Sequence, residues 1–229
     1  MKNIFLVIAL IFVVAVGCKL PASLTGSNSA PAANGTNSSP DTGSKPVGKI
    51  SPSGDAKADV VAASKKFIEL PAFTADMSGT GDNPIHMRLE YASPDRYHIT
   101  QLAGPAGGME TIIIGKNTYM KSGATWTKMP VNIGDSIPSL RDSFTEEGLK
   151  TLTDVKFDGN EDVDGKPALA YSYKNKVPKA DTTFTSRIFV SSDTGLPIKV
   201  VVDYGSGPLK QMTIKYDNES KVTIESPMP

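Results

Sequence analysis

One residue in this chain is placed to undergo covalent chemistry. Cys18 is the only cysteine among 229 residues, and it closes Ala15-Val16-Gly17-Cys18 at the end of an apolar run that follows the positive Lys2. A basic start, an apolar stretch and small residues before a cut are the parts of a secretory signal peptide. The stretch Ile4–Val16 is about 13 residues, short of the roughly 18 or more of a membrane span. With a thiol directly after the small residue, the expected chemistry is alkylation of Cys18 by diacylglycerol. Cleavage before Cys18 and acylation of the new amino terminus then follow. A thiol used in this way is lost to disulfides, metal ligation and nucleophilic catalysis.

The other chemistry-bearing residues do not assemble into a recognisable centre. His86 and His98 are the only histidines, and each sits among alternating residues on the polar phase of its segment. Two histidines without a third ligand at metal spacing do not make a zinc site. No G-x-S-x-G elbow, phosphate-binding loop or H-E-x-x-H pair is present. Asp158, Glu161, Asp162 and Asp164 form an acidic turn without calcium-loop spacing, and it reads as a solvated hairpin tip. The expectation is a protein that is not an enzyme and carries no cofactor or metal. Lys and Arg total 24 against 24 Asp and Glu. Such a balance offers no basic stripe for nucleic acid and no polybasic patch for anionic lipid.

Composition divides the chain into three. Residues 1–17 are the signal peptide. Residues 18–55 comprise Cys18 and a Ser-, Gly-, Asn- and Pro-rich stretch whose large apolar residues are almost limited to Leu20, Leu24 and Ile50. A segment this polar buries too little apolar surface to offset its ordering entropy, so it reads as a flexible tether. About 37 such residues span roughly 30–36 Å root-mean-square. Residues 56–229 suit a single domain.

That domain opens with helical spacing: Val60, Ser64 and Phe67 share a face, Asp59 is near the start, and Pro71 stops the helix. The period then changes from 3.6 to 2. Ile85, Met87, Leu89 and Tyr91 alternate with polar residues, and after Ser93-Pro94-Asp95 so do Tyr97 and Ile99. Further strands are expected at 109–114, 118–121, 155–158, 168–174, 184–190, 198–204, 211–216 and 222–225. Turn residues such as Asp164-Gly165 and Asp193-Thr194-Gly195 separate them. One helical interruption is expected over Asp135–Gly148, with Ile137, Leu140 and Phe144 on one face and Gly148 ending or kinking it. The fold class is therefore mainly β, an α+β arrangement with a curved antiparallel sheet, an N-terminal helix and a mid-chain helical lid.

Several motifs carry a family resemblance. Ala15–Cys18 resembles the lipobox of bacterial lipoproteins, with Ala15 where Leu is usual. Phe73-Thr74-Ala75-Asp76 after the helix, Pro94-Asp95-Arg96-Tyr97, Ile112 to Tyr119 followed by Trp126, and Gly195-Leu196-Pro197-Ile198 resemble motifs of an envelope superfamily. That superfamily comprises the lipoprotein carriers LolA and LolB, the mycobacterial LprG/LppX lipoproteins and the sensor RseB. The resemblance spans the whole folded domain, in order. It implies an incomplete β-barrel with a helical lid over an apolar cavity for acyl chains. The lid-associated arginine of LolA has no assignable equivalent among Arg88, Arg96, Arg141 and Arg187, and Ala103–Met109 is a weak match to the apolar loop of LolB. Lys19, after the cysteine, favours the outer membrane in a Gram-negative source, since Asp there favours inner-membrane retention in enteric bacteria.

The residues expected to face such a cavity are Met87, Leu89, Tyr91, Tyr97, Ile99, Ile112, Ile114, Tyr119, Ile137, Leu140 and Phe144. Apolar stripes of this kind equally build a solid core. Two functions therefore stand: a lipid-anchored envelope protein that binds acyl chains of a lipid or lipoprotein for transfer or sensing, and a structural or protein-interaction lipoprotein of the same fold with no ligand. A single acyl chain holds a protein to membranes only marginally, whereas two or more anchor it. Replacing Cys18 by Ser should accordingly move the protein from the membrane fraction to the soluble envelope fraction. Unchanged partition on fractionation would exclude the anchor.

Overall fold

The computed structural model describes residues 49–104, 106–130, 144–176, 183–205 and 207–228. The first element is helix α1, Ala56–Ile68. Asp55 caps it, its carboxylate accepting from the Ala58 N–H at 3.0 Å, so the cap lies four residues ahead of the Asp59 expected near the start. Lys65 and Lys66 stand in the last turn, where they complement the helix dipole. Val60, Ala63, Ser64 and Phe67 are its buried side.

Six strands follow: β1 (Ala72–Gly81), β2 (Ile85–Ala92), β3 (Arg96–Ala103), β4 (Glu110–Ile114), β5 (Asn117–Ser122) and β6 (Thr125–Lys128). The short helix α2 (Glu146–Lys150) precedes β7 (Leu152–Val163), β8 (Lys166–Lys176), β9 (Thr183–Ser191), β10 (Pro197–Asp203) and β11 (Leu209–Asp217). All eleven strands form one antiparallel sheet in the order β6-β5-β4-β3-β2-β1-β11-β10-β9-β8-β7. Each half is a meander. The first runs outward from β1, and the second runs inward from β7 to β11. Pairing of β1 with β11, from Thr74↔Asp217 to Thr80↔Gln211, joins the halves. The sheet is curved and does not close, and the edges left open, β6 and β7, are consecutive in the chain. This is the incomplete barrel expected. The Asp164-Gly165 turn between β7 and β8 has φ of 54° and 82°, as a two-residue hairpin turn of the I′ type demands.

Several expectations differ from the structure. Strand β1 is ten residues long, yet its inward positions include Ala75 and Gly79, so no apolar alternation marks its full length. Residues 222–225 form no strand. Val222 and Ile224 alternate because the C-terminal segment lies extended on the outer face of the sheet, where Arg96 donates to the Ile224 carbonyl at 2.6 Å. Gly148 does not end the second helix but sits inside α2, its N–H turned to Thr145 Oγ1 at 3.4 Å and its carbonyl accepting from Thr151 Oγ1 at 2.7 Å. The rest of the expected lid, including Ile137 and Leu140, lies outside the described residues. Residues 50–55, which composition assigns to the tether, are already in contact with the domain: the Ile50 N–H donates to the Ser192 carbonyl at 2.6 Å.

The core is centred on Phe67. Its ring lies 4.8 Å from those of Phe73 on β1 and Tyr216 on β11, and 4.9 Å from that of Phe144 ahead of α2. Phe73 in turn meets Tyr91 at 5.1 Å, and Tyr91 meets Tyr97 at 5.2 Å. Tilted and edge-on rings at such distances add to their area burial. Burial pushes the Tyr216 hydroxyl far above its ordinary pKa and that of Tyr173 up to about 12. Truncating Phe67 to Ala should cost about 3–5 kcal/mol, since it removes the ring that α1 inserts over the β1–β11 seam. Denaturant unfolding of the variant measures this, and a loss below ~1 kcal/mol would mean that the cluster repacks.

Candidate functional site

Alternation divides the sheet into two faces. On the inner face lie Phe73, Ala75 and Met77 of β1, opposite Tyr91, Leu89 and Met87 of β2. Tyr97 and Ile99 of β3 continue this face, and Ile214 and Tyr216 of β11 extend it across the seam. From there Val200, Ile188 and Tyr171 carry it to β8. Five of the expected cavity residues, Met87, Leu89, Tyr91, Tyr97 and Ile99, are thus brought together on the side of α1, and Phe144 packs beside them.

Ile112, Ile114 and Tyr119 are placed on the other face. Directly opposed residues of antiparallel strands share a face, and Ile112 stands opposite His98 and Tyr119, while Ile114 stands opposite Arg96. The inward residues of these strands are Ile113, opposite Tyr97, and Thr118, opposite Ile113. Ile112 and Tyr119 pack instead with Ile224, Val222 and Trp126 under the C-terminal segment. A run of three isoleucines fits either phase, so alternation could not orient β4.

The outer face carries the histidines. His86 Nε2 is 2.9 Å from Asp76 Oδ2. His98 bridges two carboxylates, with Nδ1 2.8 Å from Glu90 and Nε2 3.3 Å from Glu110. Lys121, bonded to Glu110 at 2.6 Å, holds that carboxyl below the ordinary carboxylate range. Asp158 and Glu161, expected at a solvated hairpin tip, lie instead within β7, because the turn falls at Asp164-Gly165, and they pair with Arg187 on the same outer side. Among the described residues no group of three His, Cys, Asp or Glu is placed to hold a metal ion, and no helix is long and apolar enough to cross a membrane.

The recesses lie beside α1, on the half of the sheet opposite to the one expected. The first, of about 430 Å³, runs between α1 and strands β8 and β9; Ala62, Ala63, Leu169, Tyr171 and Val190 make its apolar wall. Lys65, Lys66 and Glu69 stand on its rim, with Ile50 and Gly195 at its mouth. Lys66 Nζ reaches the Thr194 carbonyl at 2.8 Å and so ties the helix to the β9–β10 turn. The second, of about 690 Å³, lies between the start of α1 and Val155, Lys156 and Phe157 of β7. Both are open clefts and not enclosed cavities. The two meet at Asp59, whose carboxylate accepts from the Tyr171 hydroxyl at 3.0 Å and from the Ser53 N–H at 3.1 Å. Burial, with the Asp59 carboxylate next in effect, drives the Tyr171 hydroxyl well above its usual pKa. Phe157, exposed, lies tilted against Tyr171 with ring centroids 5.3 Å apart. Sequence reasoning missed Leu169, Tyr171 and Val190 as wall residues. Their strands were marked by alternation, but nothing in alternation says over which strands a helix will lie.

No protein-family model matches the chain, and none of the curated proteins matches it. Its fold is shared with solved structures of other proteins. The Mycobacterium tuberculosis lipoprotein LppX superposes with a TM-score of 0.59 at 14% identity, over 74% of this chain and 98% of that one. LprF from Mycobacterium bovis gives 0.57 at 14% identity, over 77% and 99%. MucB gives 0.50 at 16% identity, over 75% of this chain and 61% of MucB. What is shared at such identities is the fold.

Asp59 is the polar joint of the site. Replacing it by Ala should cost about 1.5–3 kcal/mol, the range for hydrogen bonds to a charged group. It should also lower the Tyr171 pKa towards that of an ordinary tyrosine. Denaturant unfolding and ultraviolet titration would check the two effects.

Proposed function

We propose that this protein is a lipid-anchored lipoprotein of the bacterial envelope that binds acyl chains of a lipid or lipoprotein, for transfer or sensing. The anchor is Cys18, the tether is the polar stretch after it, and the binding domain follows. The observation that carries the binding reading is the apolar recess of about 430 Å³ between α1 and the inner face of the sheet. Its wall is mainly aliphatic and aromatic, with Lys65, Lys66 and Glu69 on the rim and the Asp59 carboxylate at one end, which suits a hydrocarbon chain with a polar end. Each methylene moved from water into such a wall is worth about 0.8 kcal/mol. Likeness of fold to the lipoprotein LppX supports the reading. The outer membrane is the favoured location in a Gram-negative source, on the evidence of Lys19.

One observation favours the alternative, a lipoprotein that acts through protein contacts with a filled interior. Phe144 is 5% exposed and seats on Phe67, so aromatic rings occupy the inner face around Met87, Leu89 and Tyr91. The two readings separate in one experiment on the full-length chain carrying Cys18→Ser, freed of co-purified lipid. A fluorescent fatty acid should bind it and raise its melting temperature, by about 2.7 kcal/mol of stabilisation at a hundredfold excess over the dissociation constant. Leu169→Trp, which adds bulk to the recess wall, should reduce that uptake. A melting temperature indifferent to the probe, with no fluorescence change, would exclude acyl binding and leave the alternative.

A further inference from the structure

The segment Ile50–Gly54, just ahead of α1, runs along both recesses. Ile50 and Ser51 line the first, and Pro52 and Gly54 line the second. It has neither helical nor strand structure. At its upstream end the Ile50 N–H donates to the Ser192 carbonyl, just past β9. At its downstream end the Ser53 N–H donates to Asp59, the residue at which the two recesses meet. Between these points Ser51 and Pro52 make no hydrogen bond among the described residues; proline has no N–H to give. Ile50 is 38% exposed and belongs to none of the three apolar clusters of the domain. Its side chain lies instead at the mouth of the first recess, against Gly195 at φ 71°, where a Cβ would come within 2.6 Å of Ile50 Cδ1.

A segment needed only to lead the chain into α1 would be held by the helix cap, and that cap reaches back only to Ser53, whose Oγ accepts from the Asp55 N–H at 3.2 Å and donates to the Asp55 carbonyl at 3.3 Å; Ile50, Ser51 and Pro52 take no part in it. We infer that residues 50–54 are a displaceable strap that closes the α1 recesses, with Ile50 occupying the place an acyl chain takes. This inference rests on the acyl-binding reading and names the regulation of that site. Lifting the strap breaks the bond to Ser192 and frees Asp59 from Ser53. The two recesses then become one groove along α1, from Val190 to Phe157. The hinge is Gly54, at φ 93° and with open space where a Cβ would stand, and turning about it also breaks the Ser53–Asp55 bonds that span it. The strap is also the point at which the expected tether joins the domain.

The test uses the full-length chain carrying Cys18→Ser and a fluorescent fatty acid. Ile50→Ser should tighten probe binding severalfold, because the probe no longer has to displace an aliphatic side chain. Ile50→Trp should weaken it. In the unsubstituted strap, saturation with the probe should speed hydrogen exchange at the Ile50 amide while leaving the amides of β1 and β11 protected. Probe binding with Ile50→Ser neutral or weaker, and with the Ile50 amide unchanged, would overturn the strap and leave acyl binding intact. Failure of every form to bind the probe would instead remove the acyl-binding reading, and the strap with it.

Discussion

The seam between β1 and β11 is the constraint on which the rest of the molecule depends. Neither meander closes on itself, and each brings a run of apolar residues to one face. Among the described residues their only ladder contact is the pairing of Thr74–Gly81 with Leu209–Asp217. Strands so far apart in sequence meet late and at the cost of closing a long loop. What holds them is the ring of Phe67, which touches Phe73 on one side of the seam and Tyr216 on the other. Helix α1 is fastened to the sheet by that ring, and the place where it is fastened sets where it leaves the sheet uncovered.

The recesses follow from this placement. At the seam, aromatic rings fill the space under the helix. Away from it, over β8 and β9, Leu169, Tyr171 and Val190 lie beside Ala62 and Ala63 along the floor of the first recess, buried in the same cluster as Ala63. A packed cluster and an open recess thus lie under the same helix, and both readings of the protein draw on the same geometry. The hydrogen bonds of Asp59 to Tyr171 and Ser53 keep α1, β8 and the entering chain in register at the point where the recesses meet.

The outer face has a different organisation. Its centre is polar, with His98 held between Glu90 and Glu110, while the adjoining Ile112, Tyr119 and Trp126 would leave an exposed apolar patch if the C-terminal segment did not lie over them. Val222 and Ile224 supply that cover without ladder pairing, which keeps the β6 edge free of an added strand. The opposite edge, β7, is interrupted by register shifts near Asp154 and Gly159, a device that discourages edge-to-edge association.

Read alone, the chain determines a great deal. The apolar stretch ending at Cys18, the polar stretch after it, the helix before Pro71 and most strand positions are local patterns, legible because period and turn chemistry act over a few residues. The resemblance carried by those patterns led to the right fold. Three decisions needed the assembled structure. The phase of β4 was one, because Ile112, Ile113 and Ile114 fit either face until His98 and Tyr119 took up their registers. The character of residues 222–225 was another, since an extended strap on a sheet alternates as a strand does. The last was the position of the recess: it depends on where Phe67 pins α1 across strands 100 and more residues away, and packing over that separation leaves no mark in any local pattern.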